Sequence, residues 1–170
     1  GLEHAIRSGS PDALGSTLHV LSKALHFYSN FQTARDEKTK TLEEALTHRR
    51  AYNDILERAF PYNDWVLGLG KNYEGQIRVE LARAETDRVE KASLLQGATS
   101  DIEDGLSHSR KWILSYPVPS LIATVAGFED ALGEILNELY ILTEDKESLR
   151  KAIQVYEDAS KKFGRINLPS

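Results

Sequence analysis

Residues 149–163 read LRKAIQVYEDASKKF and carry the clearest helical pattern in the chain. Apolar side chains recur there every three or four positions, which is the period of one face of an α-helix, and charged residues fall between them. Gly164 follows as a suitable C-terminal stop. The pattern predicts an amphipathic helix whose inward side chains are Leu149, Ala152, Ile153, Tyr156, Ala159 and Phe163.

The first five residues of this stretch define a pattern that occurs elsewhere in the chain. LRKAI at 149–153 matches LEEAL at 42–46 and IEDGL at 102–106, and LEHAI at 2–6 is a candidate fourth copy. Each has an aliphatic residue, two further residues, a small residue and another aliphatic residue. Ala or Gly lets a neighbouring helix approach closely, while the flanking aliphatics fill the groove between helices. We interpret these segments as the second helices of helix hairpins.

Prolines mark the boundaries between the long helical segments. Breaks at Pro61, Pro117 and Pro119 divide the chain into hairpins at about 11–60, 63–116 and 119–164. No alternating strand pattern occurs. We therefore predict an all-α fold in which antiparallel hairpins stack as a short right-handed α-solenoid, with an antiparallel helical bundle as the alternative.

The first hairpin is expected to begin with Ser10 as N-cap and Pro11 at the first helical position. Its first helix is predicted to run to about Ala34, with Thr41 and Glu44 forming a capping box for the second. The predicted apolar stripe of the first helix consists of Leu14, Leu18, Leu21, Leu25 and Tyr28.

Residues 139–163 resemble a tetratricopeptide repeat, with Ala152, Tyr156 and Ala159 at that family's small, aromatic and small positions on its second helix. The resemblance is degenerate, because the preceding helix lacks the family's tryptophan and Leu-Gly pair. It implies a right-handed superhelix whose concave face is lined by the first helix of each pair. That face commonly grips an extended peptide or another helix.

The predicted function is therefore a protein-protein interaction scaffold, and the predicted partner is a protein or peptide bound on the concave face. The candidate binding residues lie on the non-core side of the first helices. They are His19, Lys23, His26, Asn30, Arg78, Asn137 and Tyr140.

Two other functions remain open. A small-ligand sensor domain of a multidomain regulator would have a pocket between hairpins, ringed by Trp65, Tyr73 and Trp112. A helical-bundle enzyme would bring several acidic or histidine side chains together inside the bundle, but nothing in the spacing of these residues requires that. We expect no enzyme activity and no cofactor.

Composition and charge restrict the other functional classes. The net charge of −5 and pI near 5.6 argue against binding of duplex nucleic acid, and no segment has the length of an apolar membrane span. The chain has no cysteine, which excludes disulfides and thiolate metal sites and favours a cytoplasmic location. His19 and His26 share a helix face, but Lys23 between them would repel a cation, so no metal site is predicted.

Three other features of the sequence lead to specific predictions. GLGKN at 68–72 lacks the remaining residues of a phosphate loop and is interpreted as a loose turn or helix break. The basic cluster of His48, Arg49, Arg50 and Arg58 is no more basic than an ordinary helix surface. Gly1 and the absence of methionine suggest a piece excised from a larger signalling or regulatory protein, with further domains in the parent chain.

Overall fold

The computed structural model describes residues 11–166, and this range contains six α-helices and no strand. They are α1 (Pro11–Ser29), α2 (Arg35–Ala59), α3 (Asp64–Ala84), α4 (Arg88–Ser115), α5 (Pro119–Thr143) and α6 (Lys146–Ile166). The proposed cap at Ser10 and the LEHAI segment at 2–6 lie outside the described residues. No helix between residues 11 and 166 combines the length and apolar character that crossing a bilayer requires.

The helices pack mainly against their neighbours along the chain. The most extensive contacts join α1 to α2, α3 to α4 and α5 to α6, and smaller ones join α2 to α3 and α4 to α5. A closed bundle would need substantial packing between its first and last helices. Among the six described helices all substantial contacts are between consecutive ones. The chain is a stacked helical solenoid, so the predicted all-α solenoid class is confirmed over the bundle alternative.

Two clusters of buried side chains form the core. The larger cluster contains residues of all four helices from α3 to α6, and its centre includes Leu95, Ile102, Val125 and Leu136. The smaller joins α2 to α3 through Leu42, Ala45, Leu46, Ile77 and Leu81. The core therefore runs along the stack, as expected when each helix pair buries its faces against the next.

The backbones of α3 and α4 approach closely at Gly68 and Gly105. A Cβ atom on Gly105 would lie 2.8 Å from the carbonyl oxygen of Gly68 and 2.5 Å from Nδ2 of Asn72. Asn72 Nδ2 itself donates to the Gly68 carbonyl over 2.8 Å. The small residue in the 102–106 pattern is thus required by a real helix-helix contact. The expected break at 68–72 is wrong, since α3 continues through it with Gly68 and Gly70 both buried.

The turn of the first helix pair differs from the prediction. α1 ends at Ser29 rather than near Ala34, and α2 begins at Arg35. Thr41 therefore lies inside α2, so the predicted capping box with Glu44 is wrong.

A tertiary contact anchors the early start of α2. Arg35 Nε donates to the carbonyl oxygen of Ala84 over 2.7 Å, and its Nη2 lies 2.7 Å from a carboxylate oxygen of Glu85. Both acceptors lie at the end of α3. A contact made 49 residues along the chain is invisible to any rule about local capping.

Several side chains predicted to point inward lie at the surface. Tyr28 of α1 is 57% exposed, and Ile153 and Phe163 of α6 are 53% and 40% exposed. Among the described helices, α1 and α6 are the outermost and each has one neighbour in the stack. A helical face facing away from that neighbour stays exposed even where its residues are apolar.

Candidate functional site

The first helices of the three pairs share one side of the solenoid, where a cavity of about 240 Å³ lies between α1, α3 and α5. We call this cavity the central groove. It is lined by His26 of α1, Gln76, Val79, Glu80 and Arg83 of α3, Ile102 of α4, and Ala131, Glu134 and Ile135 of α5.

The central groove has an apolar floor and a polar rim. Val79, Ile102 and Ile135 are buried at its base. His26 is half-buried, and the Glu134 side chain is 60% exposed at the edge. An apolar centre within a polar rim is the usual anatomy of a protein-binding surface.

Arg83 links the two walls of the groove. Its Nη2 lies 2.6 Å from Oε1 of Glu138 and 4.0 Å from Oε2 of Glu134, both on α5, and its Nη1 lies 3.2 Å from Oε1 of Glu80 on α3. The hydrogen bond to Glu138 raises the pKa of Arg83, so the guanidinium stays charged. Lys38 of α2 also pairs with Glu80, at 3.5 Å.

These ion pairs leave the groove with more acid than base. Two carboxylates that line it, those of Glu80 and Glu134, face one lining cation, Arg83. Burial lowers the pKa of His26, although Glu80 opposes this, so the imidazole is neutral near pH 7. A neutral ring can both donate and accept a hydrogen bond. The rim therefore attracts positive charge.

The structure places three of the predicted site residues along one face of α1. His19 lies beside α2, with its Nδ1 3.2 Å from Nη1 of Arg49. Lys23 lies over the ring of Tyr73 on α3, 5.5 Å from the centroid. His26 lines the central groove. Asn30 is exposed just after the end of α1.

The other predicted site residues do not join this face. Arg78 pairs with Asp101 of α4 at 2.7 Å and with Glu74 at 3.2 Å, and so lies at the interface between α3 and α4. Asn137 and Tyr140 do not line the groove. They follow Gly133 by four and seven positions and so share its side of α5, where a Cβ on Gly133 would lie 2.7 Å from the ring of Tyr156 on α6.

The sequence reading missed Glu80, Arg83 and Glu134 because they look like ordinary solvated helix residues. A signal was present in the register of α3. Gln76, Glu80 and Arg83 recur at helical spacing on one face, and Val79 beside them is apolar.

A second cavity, of about 190 Å³, lies between α1, α2 and α3, and we call it the arginine pocket. It is lined by His19, Arg49, Tyr52, Leu56, Val66, Leu69, Gly70 and Tyr73. Arg49 is only 1% exposed, although the sequence reading placed it in a surface cluster. Its position in the helix indicates this burial, because Arg49 follows Leu42 by seven positions and Leu46 by three on the buried face of α2.

The aromatic ring expected for a ligand sensor does not form. Tyr73 lines the arginine pocket, whereas Trp112 packs against Tyr116 with ring centroids 4.5 Å apart. Trp65 packs against the larger core cluster. From residue 11 to 166, no group of three or more histidine, aspartate or glutamate side chains is placed to hold a metal ion.

Comparisons with known proteins show the fold and go no further. No family model and no curated protein matches the sequence. A solved structure described as "DHF58 filament" matches with a TM-score of 0.56 and 13% identity, covering 97% of this chain and 75% of that one. Another, "Circular tandem repeat protein with novel repeat topology and enhanced subunit contact surfaces", matches with a TM-score of 0.45, 21% identity, and 97% and 38% coverage. The chain is thus similar in fold to a filament protein, and the helical repeat architecture is supported.

Proposed function

We propose that this chain is a protein-interaction scaffold that holds a peptide or a helix of its partner in the central groove. The observation that carries the proposal is the position of that groove. It lies where α1, α3 and α5 face one another, which is the side that tetratricopeptide-like arrays use for binding.

The groove also has a chemistry that suits a particular kind of partner. Its buried floor of Val79, Ile102 and Ile135 offers a place for one aliphatic side chain. Glu134 at the rim lies 4.0 Å from its nearest cation, so this exposed carboxylate is only weakly neutralised. We propose a partner segment with an aliphatic anchor flanked by lysine or arginine.

The proposal includes a setting for the chain. We propose that the chain acts in the cytoplasm as a tetratricopeptide-like arm of a larger signalling or regulatory protein. The degenerate repeat pattern at 139–163 and the absence of cysteine support this setting. The partner contacts would then come from the groove and the chemistry from neighbouring domains.

The test is selection of binding peptides from a displayed random library, followed by affinity measurements with synthetic peptides. We expect the enriched sequences to combine an aliphatic residue with flanking basic residues. Glu134→Arg should weaken their binding about tenfold or more, because it places a like charge at the rim.

Glu43→Arg is the matched control, since Glu43 is an exposed carboxylate on α2 outside the groove. It makes the same charge change and should leave peptide affinity unaltered. The proposal is wrong if no peptide family is enriched, or if Glu134→Arg and Glu43→Arg have equal effects.

A further inference from the structure

Arg49 is a buried cation without a carboxylate partner. Its side chain is 1% exposed and lies between two aromatic rings, 5.3 Å from the centroid of Tyr52 and 4.9 Å from that of Tyr73. Burial lowers the pKa of Arg49, which shows how poorly the site compensates its charge. Arginine is almost never fully buried unless it is paired.

Two of the three guanidinium nitrogens have no hydrogen-bond acceptor. Nη1 contacts Nδ1 of His19, but Nε and Nη2 contact none. Nε and Nη2 lie on the same edge of the guanidinium plane and point their N–H bonds in parallel. This edge forms two hydrogen bonds with one carboxylate in bidentate pairs.

Glu74, the acid whose charge acts on Arg49, is already occupied. Glu74 accepts hydrogen bonds from Arg50 Nε at 2.9 Å, from Asn53 Nδ2 at 3.0 Å and from Arg78 Nη2 at 3.2 Å. Asn53 Oδ1, one turn along α2 from Arg49, has no donor, but it is neutral and cannot balance a charge. Arg49 therefore lacks a counter-ion within the described chain.

The same arginine borders an open space, although its Nε and Nη2 each have less than 1 Å² of accessible surface, so an anion reaches them only when a side chain of the wall shifts. The arginine pocket holds about 190 Å³, which corresponds to roughly six water-sized groups. Apart from Arg49 and His19, its walls are Tyr52, Tyr73 and apolar side chains. These walls suit the hydrocarbon part of a small molecule, and the guanidinium suits an anionic head.

We propose that the arginine pocket binds a monocarboxylate with a short hydrocarbon tail, whose carboxylate is held by Arg49. His19 is the neighbouring polar group, and Lys23 over Tyr73 adds positive potential at the side of α1. Arg49 is the buried cation of this pocket, and one buried cation matches a single negative charge. The pocket lies on α1 to α3 and does not depend on the central groove binding a peptide.

The carboxylate has two possible sources, a free acid and a glutamate side chain of a bound peptide. Both offer the same group on a chain of similar length. The experiment therefore compares butanoate with N-acetylglutamate α-amide, which carries a glutamate side chain between two capped peptide groups.

The test is thermal unfolding and calorimetric titration of the full chain with butanoate. We expect a saturable rise in Tm, of about 3 to 6 °C when butanoate is at ten times its Kd. Butanamide has the same size without the charge and should have no effect. Tighter binding of butanoate identifies a free acid as the source, whereas tighter binding of the capped glutamate identifies a peptide.

Variants separate binding by Arg49 from a structural role. Arg49→Met keeps the length of the side chain and should abolish the butanoate effect. The variant should also melt no lower than the wild type, because removing an unpaired buried charge is commonly neutral or stabilising. Arg49→Lys retains the charge but lacks the planar guanidinium group with its parallel N–H donors. This variant should bind butanoate more weakly than the wild type. Arg58→Met is the control, since Arg58 is an exposed arginine on the same helix.

Four outcomes would overturn the proposal. They are the absence of a saturable effect in the wild type, an equal effect of butanamide, retention of butanoate binding in Arg49→Met, and binding of inorganic phosphate as tightly as butanoate. The last result would mean that the pocket recognises anions in general and not a carboxylate with an apolar tail.

Discussion

The buried carboxylate of Glu129 on α5 is held by the ammonium group of Lys162 on α6, whose Nζ lies 2.6 Å from Oε1 and 2.7 Å from Oε2. Arg110 of α4 donates to the same Oε1 from Nε and Nη2, over 3.0 and 2.8 Å. Glu129 is fully buried, while both cations reach solvent. One acid thus ties three consecutive helices together.

Removing Lys162 should weaken this connection without destroying it. Lys162→Met leaves Arg110 as the only cation on a buried carboxylate, so we expect the free energy of unfolding to fall by about 1 to 3 kcal/mol. Urea unfolding followed by circular dichroism measures this change. Lys161→Met is the matched control. Its pairs with Glu157 and Asp158 are exposed, so a loss of about 0.5 kcal/mol or less is expected. Equal losses of unfolding free energy in the two variants would show that the buried pair of Lys162 contributes no more than an exposed pair.

Adding a methyl group to Gly105 should be costly, whereas adding one to Gly127 should not. Gly105→Ala places Cβ 2.5 Å from Nδ2 of Asn72 and 2.8 Å from a backbone oxygen, and overpacking of this kind costs about 1 to 3 kcal/mol. Gly105→Leu should cost at least as much. Gly127 in α5 has open space around its Cβ position, so Gly127→Ala should stabilise by about 0.5 to 1 kcal/mol. If both alanine variants changed stability in the same direction, the result would contradict the close approach of α3 and α4.

Stability should fall as the pH drops from about 7.5 to about 5.5. Burial lowers the pKa of His19, with Arg49 and Lys23 contributing. Burial also lowers the pKa of His26, where Arg49 and Lys38 add to the effect and Glu80 opposes it. In the unfolded chain both histidines return to about 6.5, so that state binds more protons below this pH and becomes favoured.

The double variant His19→Gln/His26→Gln checks this pH dependence. Thermal unfolding across the same pH range should show a smaller loss of stability in the variant than in the wild type. Burial raises the pKa of Asp101, so the range ends at about pH 5.5 to limit protonation of carboxylates. A wild-type protein equally stable at both pH values would contradict the prediction.

The cap of α4 should also contribute measurably. Asp87 Oδ1 accepts from the backbone N–H groups of Val89 and Glu90 at 3.0 and 2.8 Å, so Asp87→Ala should cost about 0.5 to 2 kcal/mol. Asp104→Ala removes the same charge from an exposed position inside α4 and caps no helix. Chemical denaturation of the two variants separates the cap from the charge. Similar losses would mean that the hydrogen bonds of Asp87 contribute little.

The parts of the structure that follow from local chemistry were predictable from the sequence. Helical periodicity indicated an all-helical chain, and the small residues at Ala45, Gly105 and Ala152 are buried where helices meet. Asn63 caps α3 at the position where the sequence placed the start of the second hairpin. These features depend on residues close together in the chain, so a local reading can find them.

The parts that depend on distant contacts could not be read in this way. Arg49 is buried because α1 and α3 cover it, and its charge alone favours the surface. Arg78 was assigned to a binding face, but its partner Asp101 lies 23 positions away on α4. The walls of the central groove come from different helix pairs, and their relative rotation is set by packing across pairs.

The packing of each helix on its chain neighbours has a mechanical consequence. A force that pulls α1 away from α6 acts on every helix interface in turn, because the interfaces are connected in series. The weakest interface therefore opens first. The junction of α2 with α3 contains the arginine pocket and an uncompensated charge, whereas Glu129 braces the junction of α4 with α5. Ion pairs of Arg35 and Arg50 also cross the junction of α2 with α3. An occupant of the arginine pocket would add contacts at that junction and so raise the force needed to open it.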